Sequence, residues 1–133
     1  MAARFHLSFF VAELEASRRF YAGVLGCPEG RVHGQTANFS FFGHQLTVHA
    51  DPSRVGAPAT ADSLDGNHFG AIVEDAELER LRARLVEAGA RFIVPPQVQY
   101  EGTPRERRKM IFLDPSGHAI ELKSYRDEAQ IFG

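Results

Sequence analysis

The sequence predicts an α+β fold in which two βαβββ modules pair to form a curved mixed sheet around a cleft. Three observations predict it. A strand-period run followed by a helix-period run occurs twice along the chain. The strand-like runs after the first helix are separated only by Gly34-Gln35 and Gly43, turns tight enough to join antiparallel neighbours. Residues 51–66, rich in Pro, Ala, Gly, Ser and Asp, show no periodicity and read as a linker. Module one then covers 1–50, module two 67–126, and a tail 127–133 completes a single domain.

In the first strand, Arg4 to Val11, residues Phe5, Leu7, Phe9 and Val11 take one face and His6, Ser8 and Phe10 the other. From Leu14 to Leu25 the spacing turns helical, with Leu14, Phe20, Tyr21, Val24 and Leu25 in one stripe, and Gly26 stands where a helix ends. Strands follow around 31–33, 36–42 and 44–50. The second module opens with a strand over 67–74, where Phe69, Ala71 and Val73 form the apolar face if Ile72 lies opposite. Leu78, Leu81, Leu85 and Ala88 make the second helical stripe, which stops at Gly89. The excess length of this module falls in 95–106, a polar stretch that reads as a loop. The chain returns through Phe112-Leu113, a turn at Asp114-Pro115-Ser116-Gly117, and a last strand carrying Glu121 between Ile120 and Leu122.

At 133 residues and 44% hydrophobic content the chain is long enough for one real core. A net charge of −2 with no broad basic patch argues against nucleic acid, and no apolar run reaches membrane-spanning length. The N-terminal Met-Ala-Ala-Arg lacks a signal peptide's apolar core, and a single cysteine, Cys27, allows no intrachain disulfide. The cytoplasm is therefore the expected compartment. Cys27 itself, just past a helix end, reads as a small structural residue.

The repeat places chemistry at matching points. His6 precedes Gly26 by the same distance, within one residue, as His68 precedes Gly89, and Gly43 to Val48 aligns with Gly117 to Leu122. Strand parity turns His6, His68 and Glu121 toward the open side of the sheet, away from the helices. Two imidazoles and a carboxylate there form a 2-His-1-carboxylate set suited to Fe(II), Mn(II), Zn(II) or Ni(II). Three protein donors leave coordination positions open, which implies catalysis.

On Phe20-Tyr21-Ala22-Gly23-Val24-Leu25-Gly26, Asn67-His68-Phe69-Gly70 and Phe112 to His118 followed by Glu121, the chain resembles the vicinal oxygen chelate superfamily. That superfamily includes glyoxalase I, extradiol ring-cleaving dioxygenases, fosfomycin-resistance transferases and bleomycin-resistance proteins. The resemblance implies metal ligands at His6, His68 and Glu121, and a homodimer. Bacterial glyoxalase I resembles a four-ligand case with a second carboxylate where this chain has Thr47, which disfavours that activity. Extradiol-dioxygenase-like chemistry with Fe(II) on a substrate that chelates through vicinal oxygens is the first expectation. A redox-neutral isomerase, lyase or fosfomycin-type thiol transferase using Mn, Ni or Zn is its rival. A metal-free protein that sequesters a small molecule such as an antibiotic is the alternative from outside enzymes.

Two further residues carry catalytic expectations. His49 shares the face of Thr47 and Gln45 and reads as a fourth ligand, as an acid/base group beside the metal, or as a solvated strand end. Tyr100, with Arg105, is placed to hydrogen-bond a bound oxyanion, against the plainer reading of a solvated loop. Phe10, Phe39 and Phe41 supply aromatic surface for a pocket wherever they face the cleft. His44 and His118 follow glycines in turns and read as surface residues.

Overall fold

The strand-period runs become two four-stranded mixed sheets, and the chain divides into two compact units. The computed structural model describes residues 1–63 and 67–133, so the end of the predicted linker, 64–66, lies outside the described residues. One unit comprises residues 1–58 with 114–117, and the other 59–113 with 118–133. Among the described residues no helix is long and apolar enough to cross a membrane.

In the first unit, β1 (His6–Val11) leads to α1 (Leu14–Arg18) and then β2 (Glu29–His33), β3 (Thr36–Phe41) and β4 (His44–Ala50). The sheet order is β1-β4-β3-β2. Only β1 and β4 are parallel, because the helical crossover between β1 and β2 carries the chain back to the same end, while short turns make the other pairs antiparallel. The predicted single helix over Leu14 to Leu25 divides. After α1 the backbone widens into a π-helical turn, Arg19–Val24, in which the Leu25 N–H donates to the Phe20 carbonyl at 2.9 Å. Phe20 and Tyr21 are both buried in this turn, as their shared helical stripe requires. Their rings meet edge to face at 5.3 Å, and Tyr21 also packs on Phe39 at 5.4 Å.

The second unit repeats the plan: β5 (His68–Ile72), α2 (Asp75–Glu87), β6 (Phe92–Gln99), β7 (Arg107–Leu113) and β8 (Ala119–Tyr125), in sheet order β5-β8-β7-β6. Leu78, Leu81 and Leu85 of α2 are all buried, as are Met110, Phe112, Ile120 and Leu122 on the helix-facing side of the sheet. Ser124 Oγ donates to Asp75 Oδ1 at 2.5 Å, tying the end of β8 to the first turn of α2. The stretch predicted as a loop from Pro95 is strand as far as Gln99, and the loop is confined to 100–106. Prolines are tolerated there because β6 is an edge strand, and its register on β7 slips on both sides of Val94, as at a bulge.

The turn Asp114-Pro115-Ser116-Gly117 belongs to the first unit. The buried Asp114 carboxylate accepts from Tyr21 Oη at 2.7 Å through Oδ2 and from the Ser116 N–H at 2.9 Å through Oδ1. Ser116 Oγ in turn accepts from the Ala12 N–H at 2.9 Å. Gly117, at φ +89°, lies so close to Pro58 that a Cβ would come within 2.7 Å of its Cα.

Burial holds the Tyr21 hydroxyl proton well above the ordinary range, with the Asp114 charge adding to it. Tyr21→Phe deletes a donor to a buried carboxylate and is expected to cost about 1–3 kcal/mol, read from the urea midpoint. Burial also pushes the Cys27 thiol up to about 11 from an ordinary 9.0. Below pH 9 both folded and unfolded chains keep that proton, so stability is complete. Between pH 9 and 11 the unfolded chain releases it first, and stability falls as pH rises. Urea midpoints across that window should therefore decline, and Cys27→Ala should flatten the early part of the decline.

Candidate metal-binding and acid-base residues

In parallel strands, registered partners project to the same face, so the pairings locate each functional side chain. On β5 and β8 the pairs are His68 with Ala119, Gly70 with Glu121, and Ile72 with Lys123. His68, Gly70, Ala119, Glu121 and Lys123 thus share the face opposite α2, and Ile72 lies with them, as the apolar reading of Phe69, Ala71 and Val73 requires. The side chains of His68 and Glu121 meet across the bare Gly70: Nε2 is 3.2 Å from Oε2. Lys123 Nζ lies 3.7 Å from the other oxygen, Oε1, and the carboxylate is largely shielded from water.

Gly70 is what permits this contact. A Cβ built on it would fall 1.6 Å from the Glu121 carbonyl oxygen. A glycine inside a strand is the sequence signal for such close backbone approach, and the sequence reading passed over it.

The donor set was tested against a metal by distance. Two donors about 2.1 Å from a common ion lie roughly 3.0 Å apart at a right angle and roughly 3.4 Å apart at a tetrahedral angle. The observed 3.2 Å between His68 and Glu121 falls inside that range, so these two residues fit adjacent coordination positions. Among the described residues no three His, Cys, Asp or Glu side chains gather closely enough to hold an ion by themselves. His6, the third expected donor, is at the start of β1 in the first unit, exposed and registered with Gln45.

The first unit carries hydroxyls and amides where the second carries the carboxylate. Ser8 is registered with Thr47, as Gly70 is with Glu121, and Phe10 with His49. Thr47 is buried and donates to Asn38 Oδ1 at 2.7 Å. Both ring nitrogens of His49 are engaged: Nε2 with Ser8 Oγ at 2.9 Å and Nδ1 with Thr36 Oγ1 at 3.0 Å. Phe10 shares this open face beside His49, with the Arg54 guanidinium 5.2 Å from its ring centre. Phe39 and Phe41 are buried core residues.

Tyr100 has two cationic neighbours of its own. It sits in the β6–β7 loop at φ +52°, its ring flanked by the guanidinium carbons of Arg105 at 4.4 Å and Arg107 at 5.1 Å. Arg107 shares the open face of Glu121, but lies four residues along β7 from Ile111, the partner of Glu121, or about 13 Å. Of the two histidines expected at the surface, His44 is exposed and His118 is half-buried.

A family model described as Glyoxalase/Bleomycin resistance protein/Dioxygenase superfamily matches residues 4–122. The chain belongs to that superfamily. Among superfamily members it is similar to the metallothiol transferase FosB of Shouchella clausii (strain KSM-K16), 26% identical over 117 residues that cover 88% of this chain and 76% of that protein. A glyoxalase/bleomycin resistance protein/dioxygenase from Alicyclobacillus acidocaldarius superposes with a TM-score of 0.83 at 26% identity, covering 97% of this chain and 96% of that one. The fosfomycin resistance protein FosX from Listeria monocytogenes shares the fold, with a TM-score of 0.77 at 16% identity over 98% and 99% of the two chains. The superfamily's α+β architecture, with two curved mixed sheets and few helices, is the one described above.

Gly70→Ala should force β5 away from β8. The expected result is a destabilisation of about 3 kcal/mol or more in denaturant melts, with loss of the β5 amide protection from hydrogen exchange that pairing with β8 provides.

Proposed function

We propose that this superfamily member is a divalent-metal-dependent enzyme acting on a small substrate that chelates the ion through two neighbouring oxygens, with His6, His68 and Glu121 as the protein donors. The observation that carries the reading is the 3.2 Å approach of His68 Nε2 to Glu121 Oε2 on an open sheet face. Mn(II), Zn(II) and Ni(II) suit these donors for redox-neutral chemistry, and Fe(II), the first expectation from the sequence, suits them for oxygen chemistry. When bound, the ion supplies Lewis-acid polarisation of substrate oxygens. Lys123 holds Glu121 Oε1 and leaves Oε2 turned toward His68. The resemblance to the superfamily supports a homodimer.

Similarity to the metallothiol transferase FosB supports redox-neutral transfer as the reaction class, which we take ahead of the oxygen chemistry expected from the donor set. Extradiol-type ring cleavage is the second reading, favoured by His49. With Nδ1–H donating to Thr36, Nε2 is free to take the Ser8 hydrogen, so a proton can pass between Ser8 Oγ and the ring two residues along β1 from His6.

Elemental analysis of protein purified without chelators should find near-stoichiometric metal, or protein that takes it up on addition of Fe, Mn, Zn or Ni. Glu121→Ala, His68→Ala and His6→Ala should each lower occupancy at least tenfold at limiting metal. Wild-type protein that accepts none of these ions would leave the sequestering-protein reading standing instead. For the reaction class, metal-loaded protein should conjugate a thiol to an epoxide-bearing substrate. Oxygen uptake with a catechol panel, lost in His49→Ala, would decide for ring cleavage.

A further inference from the structure

A second concave site lies on the open face of the first unit's sheet, beside His6. Its walls include Arg4, just ahead of β1, Arg31 of β2, and His44 and Gln45 at the start of β4. Gly30 and Gly43 contribute backbone only, so the pocket floor is unobstructed there, and Asn38 and Ser40 of β3 add polar side chains. Among the described residues no aspartate or glutamate lines it. This is notable in a chain whose net charge is −2, where acids outnumber Lys and Arg.

The cations of this pocket are uncommitted. Among the described residues, neither Arg4 nor Arg31 makes an ion pair or side-chain hydrogen bond. The acid nearest Arg31 in sequence, Glu29, is held at both oxygens by Arg18, at 2.9 Å and 2.8 Å, and its carboxyl is kept below the usual range by that guanidinium. The backbone under Arg31 is fixed, since its carbonyl accepts from Asn38 Nδ2 at 3.0 Å, and an irregularity between Glu29 and Val32 re-aims this part of β2. His44 Nδ1 accepts the Phe5 N–H at 2.9 Å, which leaves Nε2 as the protonated nitrogen and a donor. Two guanidinium forks, an imidazole N–H and the amide of Gln45 thus line one pocket with no carboxylate of the described residues among them.

We infer that the pocket formed by Arg4, Arg31, His44 and Gln45 binds an oxyanion group, a carboxylate or a phosphate-type anion. Guanidinium forks match either geometry with paired, charge-assisted hydrogen bonds. Gln45 is the registered partner of His6 on the same face, so an anion held here stands one strand away from an expected metal donor. The assignment of that anion to the substrate, as a group separate from its metal-chelating oxygens, rests on the metalloenzyme reading. Binding in the pocket does not.

The test is an amide and arginine side-chain NMR titration of the full chain, carried out after chelator treatment and at constant ionic strength. Inorganic phosphate and acetate are the probes, and chloride is the control. Saturable shifts at Gly30, Gly43, Gln45 and Arg31 Nε are expected with at least one probe, and the probe that saturates assigns the anion class. Arg31→Ala should weaken binding at least tenfold and the Arg4→Ala/Arg31→Ala pair should abolish it, with unchanged thermal melts because both side chains are exposed. Glu121→Ala should bind the anion as wild type does, which separates this result from failure of the metal reading. Shifts that match chloride for both probes, or affinities unaltered by the arginine substitutions, would overturn the inference.

Discussion

Parallel pairing of the first and last strands of each unit is the constraint on which the arrangement of functional groups depends. A helical crossover forces it, and among the described residues β1–β4 and β5–β8 are the only parallel pairs. In such a pair, registered residues lie side by side on one face, so a histidine near the start of the first strand is one step along from the residue that decides the chemistry. In the second unit that step holds Gly70 and Glu121, and an imidazole reaches a carboxylate across the gap. In the first unit it holds Ser8 and Thr47, and the same frame carries a network of hydroxyls, an amide and His49. One backbone plan therefore yields two unlike surfaces.

The turn between β7 and β8 shows how a buried charge is made tolerable. Desolvating the Asp114 carboxylate alone would be expensive, so it is met by a phenol O–H from ninety-three residues earlier and by a backbone N–H of its own turn. The phenol belongs to the π-helical turn, where Phe20 and Tyr21 are both buried. The turn motif that carries the resemblance in sequence is thus, in this chain, held within its own unit by Tyr21 and Ala12.

Much of this was legible in the residues. Period-2 alternation located β1, β5 and β8 and assigned His6, His68 and Glu121 to faces opposite the helices, and Gly26 and Gly89 mark the helix ends at positive φ. What escaped did so for physical reasons. Pro95 and Pro96 read as loop because proline is excluded from central strands, and nothing local says that β6 is an edge. The spacing of Leu14 to Leu25 fits a regular helix as well as it fits the π-helical turn, so it does not distinguish them. Phe39 and Phe41 were offered to a pocket and went to the core, since their strand alternates the other way from Phe10. His118 follows a glycine that is pressed against Pro58, and is half-buried where an open turn would have exposed it.

The irregular edges have a consequence beyond the site. One edge of each sheet, β2 and β6, runs out of register with its neighbour, and β6 adds two consecutive residues without an N–H to donate. A foreign or sibling strand approaching either edge finds no evenly spaced ladder to continue. Unpaired sheet edges are templates for pairing with another chain. Here the interruption is built into the backbone, so the open faces can stay available to small molecules without the chain polymerising along its own borders.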